Sequence, residues 1–278
     1  MEIFKNCLLV SDIDGTLLEN GVIPQKNIDA IDFFIKGGGK FAVSSGRSIE
    51  AVRNVQETAH CNAPSVVYNG ATVYDYKNEK AVFNLTLNND AKLVIKPIME
   101  HFPDLGIEIH CDRNLYAVQR TVEVDEHIQY EGLTAINVKL DDIMDIDWTK
   151  AIFMTNDLSM MNEVHEFSDS LSLRGAYFLR TATIYYELTN ELASKANGVK
   201  QLKNFLDKEY KVFAIGDYYN DIEMLKAADI SACVEETPDE IKSICNFVAG
   251  ACKDGAVADF IEYLAKLLKN DCSTLSSQ

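Results

Sequence analysis

The sequence predicts an α/β protein: a Rossmann-like, doubly wound parallel sheet whose chain is interrupted by an inserted α+β segment. Three observations predict it. Short apolar runs, the first ending in acid, alternate with helical patterns over roughly the first seventy residues. The same alternation resumes after Asn190 and continues almost to the end of the chain. Between these stretches strands follow one another directly with helices beside them, the pattern of an antiparallel sheet.

CLLVSD (Cys7–Asp12) is short, apolar and ends in acid, which suits a central parallel strand. Pro24 opens a helical pattern through Ile28, Ile31, Phe34 and Ile35, and Gly37–Gly39 stops it. FAVSS (Phe41–Ser45) is the next strand, and Ser48 can cap a helix carrying Ile49, Val52 and Val55. SVVYN (Ser65–Asn69) is the third. βαβ units of this kind are right-handed and wind a sheet in both directions.

From Leu87 the order becomes helix (Asp90–Phe102), strand (Ile107–Cys111) and strand (Leu115–Gln119). A looser stretch, strand AIFMT (Ala151–Thr155) and helix Leu158–Ser168 follow, then two strands meeting near Thr181–Thr183. The core pattern returns with helix Asn197–Leu206, strand KVFAIGD (Lys211–Asp217) and helix Asp221–Ala227. DISACV, a helix Pro238–Cys245, NFVAG and an amphipathic closing helix Ala256–Lys269 complete it, and the polar tail Asp271–Gln278 is expected to fray. The expected domains are 1–86 with 189–278, and an insert at 87–188.

The formal net charge of -17 repels nucleic acid and anionic lipid, which disfavours a polynucleotide substrate and a membrane surface as partners. Small phosphate esters would be repelled too, unless the site carries its own cations. Seven cysteines without a CxxC pair read as free, mostly buried thiols in a reducing compartment. The five histidines lack metal-ligand spacing and read as structural or surface groups. The N-terminus has no signal-peptide pattern, and no window reaches the ~20 apolar residues of a membrane span, so the expectation is a soluble, cytoplasmic protein.

Four short segments carry the chemistry: SDIDGTL (Ser11–Leu17), SSGR (Ser44–Arg47), SK (Ser194–Lys195) and GDYYND (Gly216–Asp221). In open α/β sheets ligands bind beyond the carboxyl ends of the strands, where Asp12, Ser45 and Asp217 fall; Lys195 approaches from a helix start. Phosphate ester hydrolysis needs an in-line nucleophile, positive charge on the equatorial oxygens and an acid for the leaving group. Of Asp12 and Asp14, one carboxylate can attack phosphorus while the other, protonated, donates to the leaving oxygen. Gly15 lets the backbone approach a phosphate, and Thr16 adds a hydroxyl and an amide. Ser45 and the Gly46 amide can hold a phosphate oxygen, and Lys195 and Arg47 supply positive charge. Magnesium prefers octahedral oxygen ligation; Asp12, Asp217 and a backbone carbonyl near Asp14 give a partial shell, and Asp221 can orient a bound water.

At these residues the chain resembles the haloacid dehalogenase superfamily, and within it the Cof-type (class II, subtype B cap) phosphatases. DIDGT, SSGR, Lys195 in SKANGV and GDYYND match the four motifs of that superfamily in order; YNGA (Tyr68–Ala71) and KDGAVADFI look like the Cof branch. The third segment departs by lacking a Pro-x-Gly lead-in and by placing Ala196 where glycine is common. The resemblance spans Met1–Thr86 and Asn190–Lys269, and the insert lies where that branch carries its α/β cap. It implies Asp12 as nucleophile through a phospho-aspartyl intermediate, and Asp14 as general acid/base. It also implies Ser45 and Lys195 on phosphate, Asp217 on Mg2+ and Asn220 on the substrate.

The expected function is therefore a Mg2+-dependent phosphatase for a small phosphorylated metabolite, either a sugar phosphate or a phosphorylated cofactor. The alternatives are a phosphotransferase or mutase on the same scaffold, and a non-catalytic phosphate-sensing module. Tyr218 and Tyr219 are expected to pack locally, with a wall over the substrate as the alternative, DDIMDID (Asp141–Asp147) to be a solvated loop and IYYEL (Ile184–Leu188) to be cap or hinge core.

Overall fold

In the computed structural model, which describes residues 2–171 and 173–275, CLLVS forms strand β1 (Cys7–Ser11), buried throughout. Helix α1 (Gln25–Lys36) starts after Pro24, whose fixed φ suits a helix entry, and ends at Gly37. Strand β2 (Lys40–Val43) follows, then α2 (Ile49–Thr58), where the Ala51 amide donates to Ser48 Oγ. β3 (Ser65–Val67) leads through a tight turn at Tyr68–Gly70 into β4 (Thr72–Asp75) and β5 (Lys80–Asn84).

The next stretch contains α3 (Asn89–Leu93), α4 (Ile95–His101), β6 (Gly106–Cys111), β7 (Asn114–Gln119) and α5 (Val122–Glu131). β8 (Ala135–Asn137), β9 (Lys150–Met154), α6 (Leu158–Asp169), β10 (Ala176–Ala182) and β11 (Tyr185–Asn190) complete it. The chain then runs α7 (Lys195–Phe205), β12 (Lys211–Gly216), α8 (Ile222–Ala227), β13 (Ile230–Cys233), α9 (Asp239–Lys242), β14 (Phe247–Val248) and α10 (Ala256–Leu275).

Two units result. Unit 1 comprises Met1–Arg47, Val52–Phe83 and Ser194–Gln278; unit 2 comprises Ser48–Ala51 and Asn84–Ala193. Unit 1 is built on a parallel sheet of order β14-β13-β12-β1-β2. Leu8 and Val10 join Ala42, Val212 and Ala214 in a cluster sealed by Val199 and Leu202 of α7 and by Met224 and Leu225 of α8. From β1 the chain first winds to β2 on one side, and β12 is later laid on the other. The winding direction therefore reverses between β1 and β12, where such sheets open a crevice at their carboxyl ends.

Unit 2 is built on a six-stranded sheet of order β10-β11-β9-β6-β7-β8, antiparallel except for the β7–β8 pair. Its apolar cluster centres on the fully buried Trp148, whose indole N–H donates to the Ile143 carbonyl at 2.9 Å. Tyr186 and Leu188 of IYYEL belong to this cluster, and Asp141, Asp142, Asp145 and Asp147 are exposed, both as expected.

Four sequence expectations need correction. β3 is not a full member of the main sheet; it pairs antiparallel with β4 in a three-stranded sheet and touches the end of β2 by one bridge, Ser44 to Val66. The helix expected at Asp90–Phe102 divides at Val94, because Pro97 has no N–H for the Leu93 carbonyl one turn back. The looser stretch contains α5, whose exposed Val122 and Tyr130 blur the helical period. The closing helix runs on to Leu275 instead of fraying at Asp271; residues 276–278 of the expected tail lie outside the described residues. Among the described residues no helix is long and apolar enough to cross a membrane. Cys7, Cys61, Cys111, Cys233, Cys245 and Cys252 are free thiols, four of them buried.

Candidate active site

β1 delivers the first carboxylate. The Asp12 amide still donates to the Ile215 carbonyl of β12 at 2.9 Å, so the side chain emerges at the end of the parallel ladder. Beyond it the chain turns back sharply: Gly15 has φ +82°, and its amide donates to Leu18 O. A Cβ at Gly15 would lie 2.6 Å from Asp217 Oδ2, so glycine is required for both conformation and space.

α7 delivers the cation. Ser194 caps the helix by accepting from the Asn197 amide, and Lys195 is its first residue. Lys195 is 1% exposed, and its Nζ donates to Asp12 Oδ1 at 2.5 Å and to Asp221 Oδ1 at 2.7 Å. The other Asp221 oxygen accepts from the Asp217 and Tyr218 amides at 3.1 and 3.2 Å, which leaves Asp221 fully engaged. Gly216 admits it: a Cβ there would lie 2.5 Å from the Asp221 carboxyl carbon.

Asp12, Asp217 and Asp221 each offer an oxygen within 4.8 Å of the others. Three carboxylates share one ammonium, which leaves two negative charges unmatched when all are ionised. Burial raises the Asp12 carboxyl well above its ordinary range; Lys195 opposes this, and Asp221 and Asp217 reinforce it. Burial and Asp221 push Asp217 up to about 6. Burial works against the Lys195 charge, but Asp12 and Asp221 outweigh it and raise the ammonium above its usual value. A divalent cation fits this donor set: it would match the excess charge, and Asp12 and Asp217 retain oxygens for it.

Other residues fall differently from the sequence reading. Asp14 does not share the buried volume of Asp12; its carboxylate is half exposed and accepts two bonds from Arg47, from Nε at 2.8 Å and Nη2 at 2.6 Å. That carboxylate stands outside the three-acid cluster. Thr16 Oγ1 donates to Asp217 Oδ1 at 3.0 Å, so its hydroxyl serves a carboxylate. Ser45 is buried, its Oγ accepts from the Arg47 amide, and Gly46 follows in the same loop. Asn220 is exposed and its Nδ2 donates to Asn69 Oδ1 at 3.2 Å. Tyr218 and Tyr219 pack locally on each other, ring against ring, but remain 56% and 51% exposed, with the Tyr219 hydroxyl on Glu240. Asn69 was missed as a site residue, although its Asn-Gly step signals a special turn.

Residues 9–261 match the family of haloacid dehalogenase-like hydrolases, and the chain belongs to that family. The resemblance to its Cof-type phosphatases stands, and the protein is a hydrolase. YxeH of Bacillus subtilis (strain 168) is 27% identical over 92% of this chain and 97% of its own length. The 5-amino-6-(5-phospho-D-ribitylamino)uracil phosphatase YbjI of Escherichia coli (strain K12) is 26% identical over 95% and 97%. TM0651 of Thermotoga maritima shares the fold with a TM-score of 0.83 at 20% identity, over 92% of this chain and 97% of that one. The subclass IIB sugar phosphatase BT4131 does so at 0.76 and 17%, over 92% and 98%.

Proposed function

We propose that the protein is a Mg2+-dependent phosphatase that hydrolyses phosphate monoesters of small metabolites through a phospho-aspartyl intermediate on Asp12. The observation that carries this reading is Lys195, buried between Asp12 and Asp221 with Asp217 beside them. A buried lysine on excess acid at a sheet switch point fits a ligand that brings both a cation and anionic oxygens.

In this reading an Asp12 oxygen attacks phosphorus, the new O–P bond forms and the ester P–O bond breaks. Asp14, once it leaves Arg47 and takes up a proton from solvent, passes that proton to the departing oxygen. Water then attacks the phosphoryl group, Asp14 takes a proton from it, and the O–P bond to Asp12 breaks to release phosphate. Lys195, Ser45 Oγ, the Gly46 amide and Asn220 hold the phosphoryl oxygens, and Gly15 lets the backbone come close. Asp14 must exchange Arg47 for the leaving oxygen, and a half-exposed ion pair is worth only ~1 kcal/mol, so little opposes the exchange. Mg2+, held by Asp12, Asp217 and the backbone at Asp14, would supply positive charge to the phosphoryl group. Thr16 and Asp221 orient that shell, the first through Asp217 and the second through the amides of its loop.

The reading extends to the domains. Segments 1–86 and 189–278 carry the chemistry and 87–188 selects the substrate. The net charge of -17 disfavours nucleic acid and supports a small substrate that meets its cations inside the site. The name of YbjI points to a phosphorylated cofactor precursor and that of BT4131 to a sugar phosphate, and both are compatible with this site. A cytoplasmic location accords with the free thiols.

Incubation with p-nitrophenyl phosphate and Mg2+ tests the reading. Release of nitrophenol with stoichiometric inorganic phosphate is expected. Phosphate transferred to an added alcohol instead would mark a phosphotransferase, and no turnover would mark a sensing module.

A further inference from the structure

The turn Tyr68–Gly70 carries none of the chemistry above, yet it touches three of the segments that do. Tyr68 and Asn69 both have φ 52°, and Gly70 has φ 91°. Left-handed backbone costs ~1 kcal/mol at a non-glycine residue, and it persists only where the surroundings impose it. The surroundings here are parts of the site. The Tyr68 amide donates to the Arg47 carbonyl at 2.9 Å and the Asn69 amide to the Ser45 carbonyl at 3.0 Å, so the turn clasps both ends of the Ser45–Arg47 loop. The Asn69 side chain closes the middle: a Cβ at Gly46 would lie 3.0 Å from its carboxamide. Asn69 Oδ1 accepts from Asn220 Nδ2, reaching the loop that holds Asp217 and Asp221. Gly70 meets the third segment, since a Cβ there would lie 1.8 Å from the Ser194 carbonyl, the cap from which Lys195 starts.

We propose that Asn69 is a positioning residue for phosphate recognition: its carboxamide fixes Asn220 against the Ser45–Arg47 loop, so that donors from two separate loops face one phosphoryl group. The inference rests on the phosphatase reading. Core packing does not account for Asn69, whose side chain is half-buried and polar. An Asn supplies both an acceptor for Asn220 and tolerance of left-handed backbone.

Asn69→Gly isolates the carboxamide, because glycine keeps the turn and both amide bonds. With p-nitrophenyl phosphate and Mg2+, kcat/KM should fall by about tenfold to a hundredfold, the scale of a misplacement near 1 Å. Inhibition by inorganic phosphate should weaken in parallel, and the melting temperature should stay within a few degrees of wild type. The double variant Asn69→Gly/Asn220→Ala should be no worse than Asn220→Ala alone. Activity of Asn69→Gly within twofold of wild type, or losses that multiply in the double variant, would overturn the inference. If Asn69→Gly melts early, the assays are run well below its melting midpoint, and unweakened phosphate inhibition there overturns the inference. An inactive wild type would overturn the phosphatase reading and this inference together; an active wild type with an unaffected Asn69→Gly overturns this inference alone.

Discussion

Each unit buries charge on a sheet, and the two do it to opposite effect. In unit 2, Glu108 is fully buried on β6 with its Oε2 2.9 Å from His127 Nδ1 and 3.8 Å from His110 Nε2, and Lys150 donates to Glu187 at 3.1 Å. Burial alone would raise the Glu108 carboxyl, but the neighbouring His110 and His127 prevail and hold it at about 2. In unit 1, Lys195 cannot satisfy Asp12, Asp217 and Asp221 together, and burial leaves Asp12 and Asp217 raised. The Lys150–Glu187 pair and the Glu108–His127 contact tie strands to one another and to a helix and so brace a scaffold. Unmatched carboxylates gathered at strand ends keep a place for something the chain does not contain.

The largest test of that contrast is Asp12→Asn. An amide cannot attack phosphorus, so turnover should fall by at least ~10^3-fold. Removing one of three crowded carboxylates should leave the melting temperature in a chelator at or above wild type. Near-normal hydrolysis, or a marked drop in melting temperature, would make the cluster a scaffold like that of unit 2.

The second test is the cation. Turnover should require Mg2+ and fail with Ca2+, whose larger, looser shell would misplace the Asp12 oxygen. Mg2+ at a hundred times its Kd should stabilise the fold by about 2.7 kcal/mol, visible as a higher melting temperature. Asp217→Ala should abolish that rise and sharply increase the Mg2+ needed for turnover. An unchanged metal titration in Asp217→Ala would remove that carboxylate from the shell.

The third test moves to unit 2. A carboxylate held below its unfolded value binds fewer protons when folded, so its stability is present above about pH 4.3 and is lost as pH falls through about 2. Wild-type denaturation midpoints should therefore drop between pH 5 and pH 2.5. Glu108→Gln, which cannot ionise, should lose part of that drop and be less stable at pH 7 by about 2 kcal/mol. Phosphatase activity at pH 7 should change little. A Glu108→Gln variant with the full acid dependence would show that other carboxylates carry it.

What the sequence made legible follows from the range of the forces involved. β1, α1, β2, β12 and α10 stand on local signals: apolar runs, Pro24 before a helix, Gly37 after it. The four motifs were legible as residue types at strand ends, but their partners were not. Lys195 bonds Asp12 across 183 positions, and Arg47 bonds Asp14 across 33. No local pattern encodes that Thr16 serves Asp217, or that Asp14 turns away from Asp12. β5 has no fully buried residue, so no apolar run marks it in the sequence. The strain of the Tyr68–Gly70 turn has no local sign beyond its Asn-Gly step, because it exists only once three distant loops close on it.

The smallest effect concerns the rim of the unmatched site. Tyr218 and Tyr219 follow Asp217 directly and expose half their surface, with centroids 5.0 Å apart at 82°. The Tyr219 hydroxyl is tied to Glu240, so the second ring has little freedom to collapse onto the first. Exposed side chains contribute little to stability, and Tyr218→Ala should shift it by no more than ~0.5 kcal/mol. An exposed ring next to Asp217 can still stack on an aromatic leaving group, a contact worth ~1 kcal/mol. Tyr218→Ala should then raise KM for p-nitrophenyl phosphate by about fivefold while leaving KM for a small aliphatic phosphate nearly unchanged. Equal changes for the two esters would return the tyrosine to the surface and confine the unmatched region to the carboxylates themselves.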